Sequence, residues 1–229
     1  MQEISWKENL RVAWFGSFLT GASISLVVPF MPIFVEQLGI ESDQVAFYAG
    51  LAISVSAVSA ALVSPIWGIL ADKYGRKPMM IRAGLAMTIT MGGLAFVPNI
   101  YWLLFLRLLN GVFTGFVPNA TALIASQVPK DKSGAALGTL STGVVAGTLT
   151  GPFVGGFIAE IFGIRNVFLL VGAFLFLAAI LTIFFIKEDF QPVAKEKAIP
   201  TKEVFSSFKY PRLLVNLFLT SFVIQFSAQ

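Results

Sequence analysis

An all-α polytopic membrane protein is the fold class this chain predicts, and three observations carry the prediction. Of its 229 residues, 56% are hydrophobic and only 12% charged, where a soluble domain carries about 25% charged residues. Six apolar segments follow one another at 12–34, 45–70, 79–97, 101–125, 134–158 and 166–186, and a seventh starts near 211. Each full segment approaches the ~20 residues that cross a ~30 Å hydrocarbon core as a helix. Lipid-facing backbone must be helical or closed into a barrel, and these runs are far longer than barrel strands. The chain has no cysteine and no histidine, so disulfides, thiol nucleophiles and the commonest metal ligands and bases are missing. Enzyme chemistry, a metal and a cofactor are therefore not expected. The formal charge of +4 is not gathered into a basic patch laced with aromatics, so nucleic acid is not an expected partner.

The first segment follows MQEISWKENLR, where Lys7 and Arg11 precede the apolar run as in a secretory signal. The run exceeds the roughly 7–15 residues of a signal core and further spans follow, so it reads as a retained first helix. Within it, VVPFMPIF places Pro29 and Pro32, two expected interruptions that curve the span around a cavity. Phe30, Met31 and Phe34 could then offer a soft wall to apolar substrates; lipid-facing phenylalanine is the stronger alternative. The connections near 98–100 and 159–165 are short and predict antiparallel neighbours. Residues 187–210, KEDFQPVAKEKAIPTKEVFSSFKY, form the one long polar connection. They divide the chain into a six-helix bundle over 1–186, an interdomain segment, and the start of a seventh helix over 211–229. A span that opens a new group and stops at Gln229 reads as the truncation of a longer chain.

Orientation follows from charge. With the N-terminus inside, Lys7, Arg11, Lys73, Arg76, Lys77, Arg82, Lys130, Lys132 and Lys187 all fall to the inner side, as do the cations of 195–212. The outer segments carry only Arg165 as a cation, together with Glu36, Glu41, Asp43 and Glu160. This bias predicts a cytoplasmic N-terminus.

Three constellations carry function. The turn GILADKYGRKP, from Gly68 to Pro78, joins the second and third spans, with a tight reversal at Gly75. A carboxylate at a helix C-terminus and cations at a helix N-terminus are each misplaced against the helix dipole, and pairing Asp72 with the Gly75–Arg76 backbone or the Arg76 guanidinium relieves both. Lys77 stands beside them. Topogenic cations with a helix cap are the plainer reading, but they do not call for Asp72, Gly75 and Gly68 together. Arg107 is read as the only ionisable residue well inside an apolar run, with Asn110 and Gly111 one turn on. A charge there is costly and marks a functional site, or else it snorkels to the nearby outer interface. It stays charged, so it can hold an anion, pair with a carboxylate or tune one, but not shuttle a proton itself. Gly111, Gly115 and Asn119 extend a small-residue stripe on the same helix. Finally, Gly143, Gly147, Gly151 and Gly155 recur every fourth residue, with Pro152 inserted. Such spacing lets membrane helices meet backbone to backbone, and Pro152 frees the carbonyl near Thr148 and should bend the helix. A rocking contact and close static packing explain the ladder equally well.

These motifs resemble those of the major facilitator superfamily, in particular the twelve-helix drug:proton antiporters, and are similar to the quinolone and dye exporters of Gram-positive cocci. GILADKYGRKP fits the family's loop between spans 2 and 3, RLLNGVFTG its fourth span, and GVVAGTLTGPFVGG the fifth-span signature of antiporters. The resemblance implies two pseudo-symmetric six-helix bundles around a central cavity, alternating access, and export of amphipathic, often cationic drugs against protons across a bacterial cell membrane. It gives Asp72 and Arg76 the role of a conformational latch, Gly68 a contact with the opposite bundle, Arg107 a part in proton coupling, and Pro152 with its glycines a hinge. The partners implied are the lipid bilayer, the drugs, protons and a C-terminal half beyond this sequence. Two departures stand out. Ser126 occupies the inner end of the fourth span where relatives place an acid, leaving Asp131 as the nearest one, and the first span has no acid before Glu36. The competing reading is a facilitator-type sugar, metabolite or peptide carrier, which would present a polar cavity.

Overall fold

The computed structural model describes residues 5–190. The expected seventh helix and all but the first residues of the 187–210 connection lie outside the described residues. Eight α-helices and one short 3-10 turn follow in order: α1 Trp6–Val27, α2 Met31–Gln37, α3 Val45–Tyr74, α4 Arg76–Gly92, the 3-10 turn Gly93–Phe96, α5 Ile100–Phe113, α6 Phe116–Gln127, α7 Ser133–Phe162 and α8 Ile164–Phe185. They compose six segments of membrane-crossing length and hydropathy, with α4 and the 3-10 turn forming the third and α5 and α6 together the fourth.

The connections are tighter than the apolar runs suggest. The expected loop at 159–165 reduces to one residue, Gly163 at φ +84, and α3 passes into α4 through Gly75 alone at φ +100. Glycine enters this half of backbone space without the Cβ clash that penalises other residues, so the chain reverses in a single step. A 30-residue helix with an internal proline, one such glycine, then a second helix therefore occurs twice, as α3–Gly75–α4 with Pro65 and as α7–Gly163–α8 with Pro152. The first segment is interrupted once, not twice. Residues 28–30 form a turn containing Pro29, and Pro32 sits in the first turn of α2, where a missing N–H costs nothing.

In lipid, apolar surface gains little by leaving the solvent, so close packing and hydrogen bonds must hold the helices together. The glycine ladder supplies both. A Cβ on Gly143 would lie 2.7 Å from the Trp14 carbonyl oxygen, on Gly147 2.1 Å from that of Phe18, and on Gly151 2.6 Å from that of Ala22. The partner advances four residues with each glycine, so α1 and α7 run parallel in one register. Pro152 cannot donate to the Thr148 carbonyl, and the Ser25 hydroxyl donates to it instead across 2.6 Å. Trp14 Nε1 donates to Thr142 Oγ1 at the start of the same seam.

Two apolar clusters fill the bundle. One joins Phe34, Met31, Met87, Phe168 and Leu175, and the other joins Met80, Phe116, Leu123 and Leu140. Met31 and Phe34 are wholly buried there, Phe34 against Phe168. Among the described residues they are buried in the core, facing neither a cavity nor lipid, a correction to both the soft-wall and the lipid-facing expectation; Phe30 is half-buried against Gly155. Phe153, Phe157 and Phe184 project from the perimeter.

The ladder makes a position-specific prediction. Gly147→Ala drives its Cβ into α1 and should lower stability by about 1–3 kcal/mol, read as a lower thermal midpoint of the purified protein. Gly156→Ala, one residue beyond the ladder with open space at its Cβ, should leave that midpoint unchanged.

Candidate functional site

The turn at Gly75 is held by an ion pair, by bonds to its backbone amides and by a lysine on a neighbouring helix end. Asp72, in the last turn of α3, pairs with Arg76 Nη2, the one ion pair among the described residues. The backbone of the turn goes elsewhere: the Arg76 and Lys77 N–H groups donate to the two carboxylate oxygens of Glu188 at 2.8 and 2.7 Å. A carboxylate seated on the first amides of α4 caps a helix and meets the positive end of its dipole, which offsets the cations sited there. Lys77 Nζ turns away to the Ile183 carbonyl, 3.0 Å off in the last turn of α8, where a cation is favourable. Gly75 is required twice, by its φ and because a Cβ would stand 2.8 Å from Glu188 Oε2.

Glu188 belongs to a clasp formed by the residues just past α8. The Lys187 carbonyl accepts from Asn9 Nδ2 at 2.6 Å and Gln127 Nε2 at 3.0 Å, and the Lys187 N–H donates to Asn9 Oδ1 at 2.9 Å. Asn9 also donates to Gln127 Oε1 at 2.8 Å. The clasp thus ties α1, α4, α6 and α8 together at one end. Sequence reasoning looked for the turn's further acid at the end of the fourth span. There Ser126 bonds only its own helix through the Leu123 carbonyl, and Asp131 is exposed with no bonded partner among the described residues. The acid is Glu188; the signal available for it was the IKEDF sequence immediately after an apolar run. Gly68 has no atom within 4 Å of an added Cβ and borders a cavity of about 360 Å³ between α3, α5 and α6, with Trp67, Arg76 and Asn119 on its walls.

Deeper in the bundle, Arg107 on α5 is 6% exposed, which rules out snorkelling in this conformation. Its Nε donates to the Ala52 carbonyl at 3.1 Å and its Nη1 lies 3.7 Å from Met91 Sδ. No carboxylate pairs with it among the described residues. One turn on, Asn110 Oδ1 accepts from Thr90 Oγ1 at 3.2 Å. The backbone beneath is pinned to α3: Ser56 and Ser59 donate to the Arg107 and Leu108 carbonyls at 2.7 and 3.1 Å. Gly111 makes this approach possible, since its Cβ would fall 2.0 Å from Ser59 Oγ.

Two expectations need correction. The stripe Gly111–Gly115–Asn119 does not lie on one helix, because α5 stops at Phe113 and Gly115 takes φ +131 before α6 begins. Asn119 Nδ2 donates to the Gly115 carbonyl at 2.7 Å and steadies that break. Nor is Arg107 alone within a span, since Arg82, counted with the inner cations, lies inside the Arg76–Phe96 segment. At the opposite end Glu36 is exposed on α2, and Arg165 donates to the Ala95 and Val97 carbonyls at 2.8 and 3.3 Å, closing the 3-10 turn.

Removing the Glu188 cap has a local signature. Glu188→Ala should raise hydrogen exchange at the Arg76 and Lys77 amides by about fivefold, the equivalent of ~1 kcal/mol of lost capping. Glu188→Gln, which keeps one acceptor oxygen of the two, should retain protection at one of these amides and lose it at the other.

The sequence profile of the Major Facilitator Superfamily matches residues 13–228. Over all 229 residues the chain is 89% identical to the multi-drug resistance efflux pump PmrA of Streptococcus pneumoniae, and it covers 57% of that protein. It is 54% identical over 226 residues to a PmrA homolog of Lactococcus lactis, covering 56% of it, and 51% identical over 222 residues to the multidrug resistance protein MdtG of Proteus mirabilis, covering 55%. The chain thus spans little more than half the length of these relatives. Among solved structures, the human organic anion transporter MFSD10 superposes with a TM-score of 0.71 at 18% identity, over 86% of this chain and 50% of that one. The POT family transporter PepTSo does so at 0.70 and 15%, over 83% and 40%. The six-span architecture, its glycine-seamed helices and these matches place the chain in the Major Facilitator Superfamily, as an all-α protein that crosses the membrane repeatedly.

Proposed function

We propose that this chain is the N-terminal half of a bacterial efflux transporter that exports amphipathic, often cationic drugs, quinolones and dyes among them, in exchange for protons by alternating access. The observation that carries the reading is Arg107: a guanidinium buried in a membrane span and met by a carbonyl and a thioether. Burying a charge among such partners is costly and is retained where function needs it. A second six-helix bundle, supplied by the rest of the protein, would complete the cavity and bring a proton-binding carboxylate within the field of Arg107. Protonation and drug binding would then compete through that charge, while Arg107 itself stays cationic. The 89% identity to an efflux pump across all of this chain supports drugs as the cargo class.

The Gly75 turn supplies the conformational step. Asp72 pairs with the Arg76 side chain and Glu188 accepts from the first amides of α4, and Gly68 and the adjoining cavity leave α3 open beside them. A helix of the second bundle seated there would be held in one state and released in the other. The N-terminus is cytoplasmic in this scheme, which puts the turn, Lys130, Lys132 and Lys187 on the inner face in accord with the charge bias.

In inverted membrane vesicles carrying the full-length protein, an inward-acid proton gradient should drive dye uptake, and collapsing the gradient should abolish it. Uptake indifferent to the gradient refutes proton antiport. Asp72→Asn keeps every cation but removes the ion pair; it should lower transport by about tenfold and shift inward/outward labelling accessibility at a fixed amount of folded protein.

A further inference from the structure

The fourth span is built with a joint in it. α5 ends at Phe113, α6 starts at Phe116, and the Gly115 between them takes φ +131. A helix end leaves carbonyls without intrahelical partners, and Pro118 has no N–H with which a continuous helix could serve the Thr114 carbonyl. Exposed to hydrocarbon, each such group would cost several kcal/mol. Here three consecutive carbonyls are met by two side chains from other spans. Trp67 Nε1, on α3, donates to the Val112 carbonyl at 2.6 Å. Arg82 Nη2, on α4, donates to the Phe113 and Thr114 carbonyls at 3.3 and 3.1 Å.

The two side chains are also bound to each other. The Arg82 guanidinium carbon lies 3.5 Å from the centroid of the Trp67 ring, within range of a desolvated cation–π contact. Arg82 Nε and Nη1 are buried and bond nothing else among the described residues, so the ring face and the negative end of α5 offset the charge. On either side of the joint the attachments differ. α5 is pinned to α3 by Ser56, Ser59 and the close approach at Gly111, whereas α6 ends at Gln127 in the clasp around Lys187. Arg82 stands on the helix whose first residue is Arg76. It therefore connects the Asp72–Arg76 turn to the segment that carries Arg107.

We propose that Trp67 and Arg82 form a clamp on the joint of the fourth span, setting the angle of α6 against α5, so that releasing the clamp lets α6 move while α5 and Arg107 stay fixed. Arg82 is a positioning residue in this scheme. The structural claim stands by itself; its consequence for transport rests on the proposed function above.

The residues in hand contain no cysteine, so spin-label pairs are readily placed in the full-length protein once any cysteine beyond them is replaced. Phe105→Cys with Ala125→Cys reports α5 against α6, and Leu85→Cys with Leu177→Cys reports α4 against α8; all four sites are exposed. In lipid nanodiscs, Arg82→Gln and Trp67→Phe should broaden the α5–α6 distance distribution about twofold and leave the α4–α8 pair unchanged. Arg82→Lys, which keeps the charge but loses the planar stack, should broaden it less. An unchanged α5–α6 distribution in Arg82→Gln and Trp67→Phe overturns the clamp, and so does equal broadening of both pairs, which would make Arg82 a general packing residue. In dye transport, Arg82→Gln should lower kcat about tenfold with KM within about twofold. A native protein that moves no dye would refute the transport reading, while the distance measurements would still decide the clamp.

Discussion

A helix that stops or bends inside a bilayer strands backbone carbonyls where no water can reach them, and three of this bundle's cations answer that constraint. Arg82 serves the end of α5, Lys77 the last turn of α8 and Arg165 the 3-10 turn before the fourth span. A hydroxyl does the same work where Ser25 meets the carbonyl freed by Pro152, while Ser56 and Ser59 pin α5 to α3 through carbonyls inside the helix. The favourable dipole at a helix C-terminus lowers the cost of keeping a charge in the membrane. Each contact also joins two spans, so satisfying the backbone and assembling the bundle are one event.

The glycine seam solves a different part of the same problem. With little hydrophobic drive between helices in lipid, α1 and α7 cohere because their backbones touch along three successive turns, at Gly143, Gly147 and Gly151, with Gly155 against the Leu26 and Phe30 side chains. The pairing is parallel because both helices begin at the end of the bundle that holds the Gly75 turn. The long proline-bearing helix followed by a one-glycine reversal recurs in each half of the bundle. The two halves thus solve the same geometry with different side chains.

From the seam outward, the features of functional interest form a connected path. The clasp at Lys187 and Glu188 holds the ends of α1, α4, α6 and α8; α4 carries Arg82 to the joint of the fourth span; α5 carries Arg107 beyond it. Every link is a hydrogen bond or a stack between different spans, which is the kind of element that can have two arrangements and be biased from either end.

How much of this was legible in the chain depends on how far apart the partners lie. Span number and length follow from hydropathy, since the bilayer sets one thickness for all crossings. The ladder from Gly143 to Gly155 follows from four-residue helical spacing, and the Asp72–Arg76 pair from opposite charges misplaced at the two helix ends that the Gly75 turn joins. Arg107 was conspicuous because a lone charge in an apolar run has few explanations. What only the tertiary structure decided involves residues far apart in sequence: Glu188 on the amides of α4, Ser25 on Thr148, Trp67 and Arg82 on the break before Gly115, and the burial of Met31 and Phe34. Periodicity says which face of a helix is apolar but not whether that face meets lipid or protein, and it places an arginine near a membrane surface without saying which carbonyl it will find. Local spacing therefore determined the helices and their seams, and the demand that every stranded polar group find a partner across the bundle decided how they were joined.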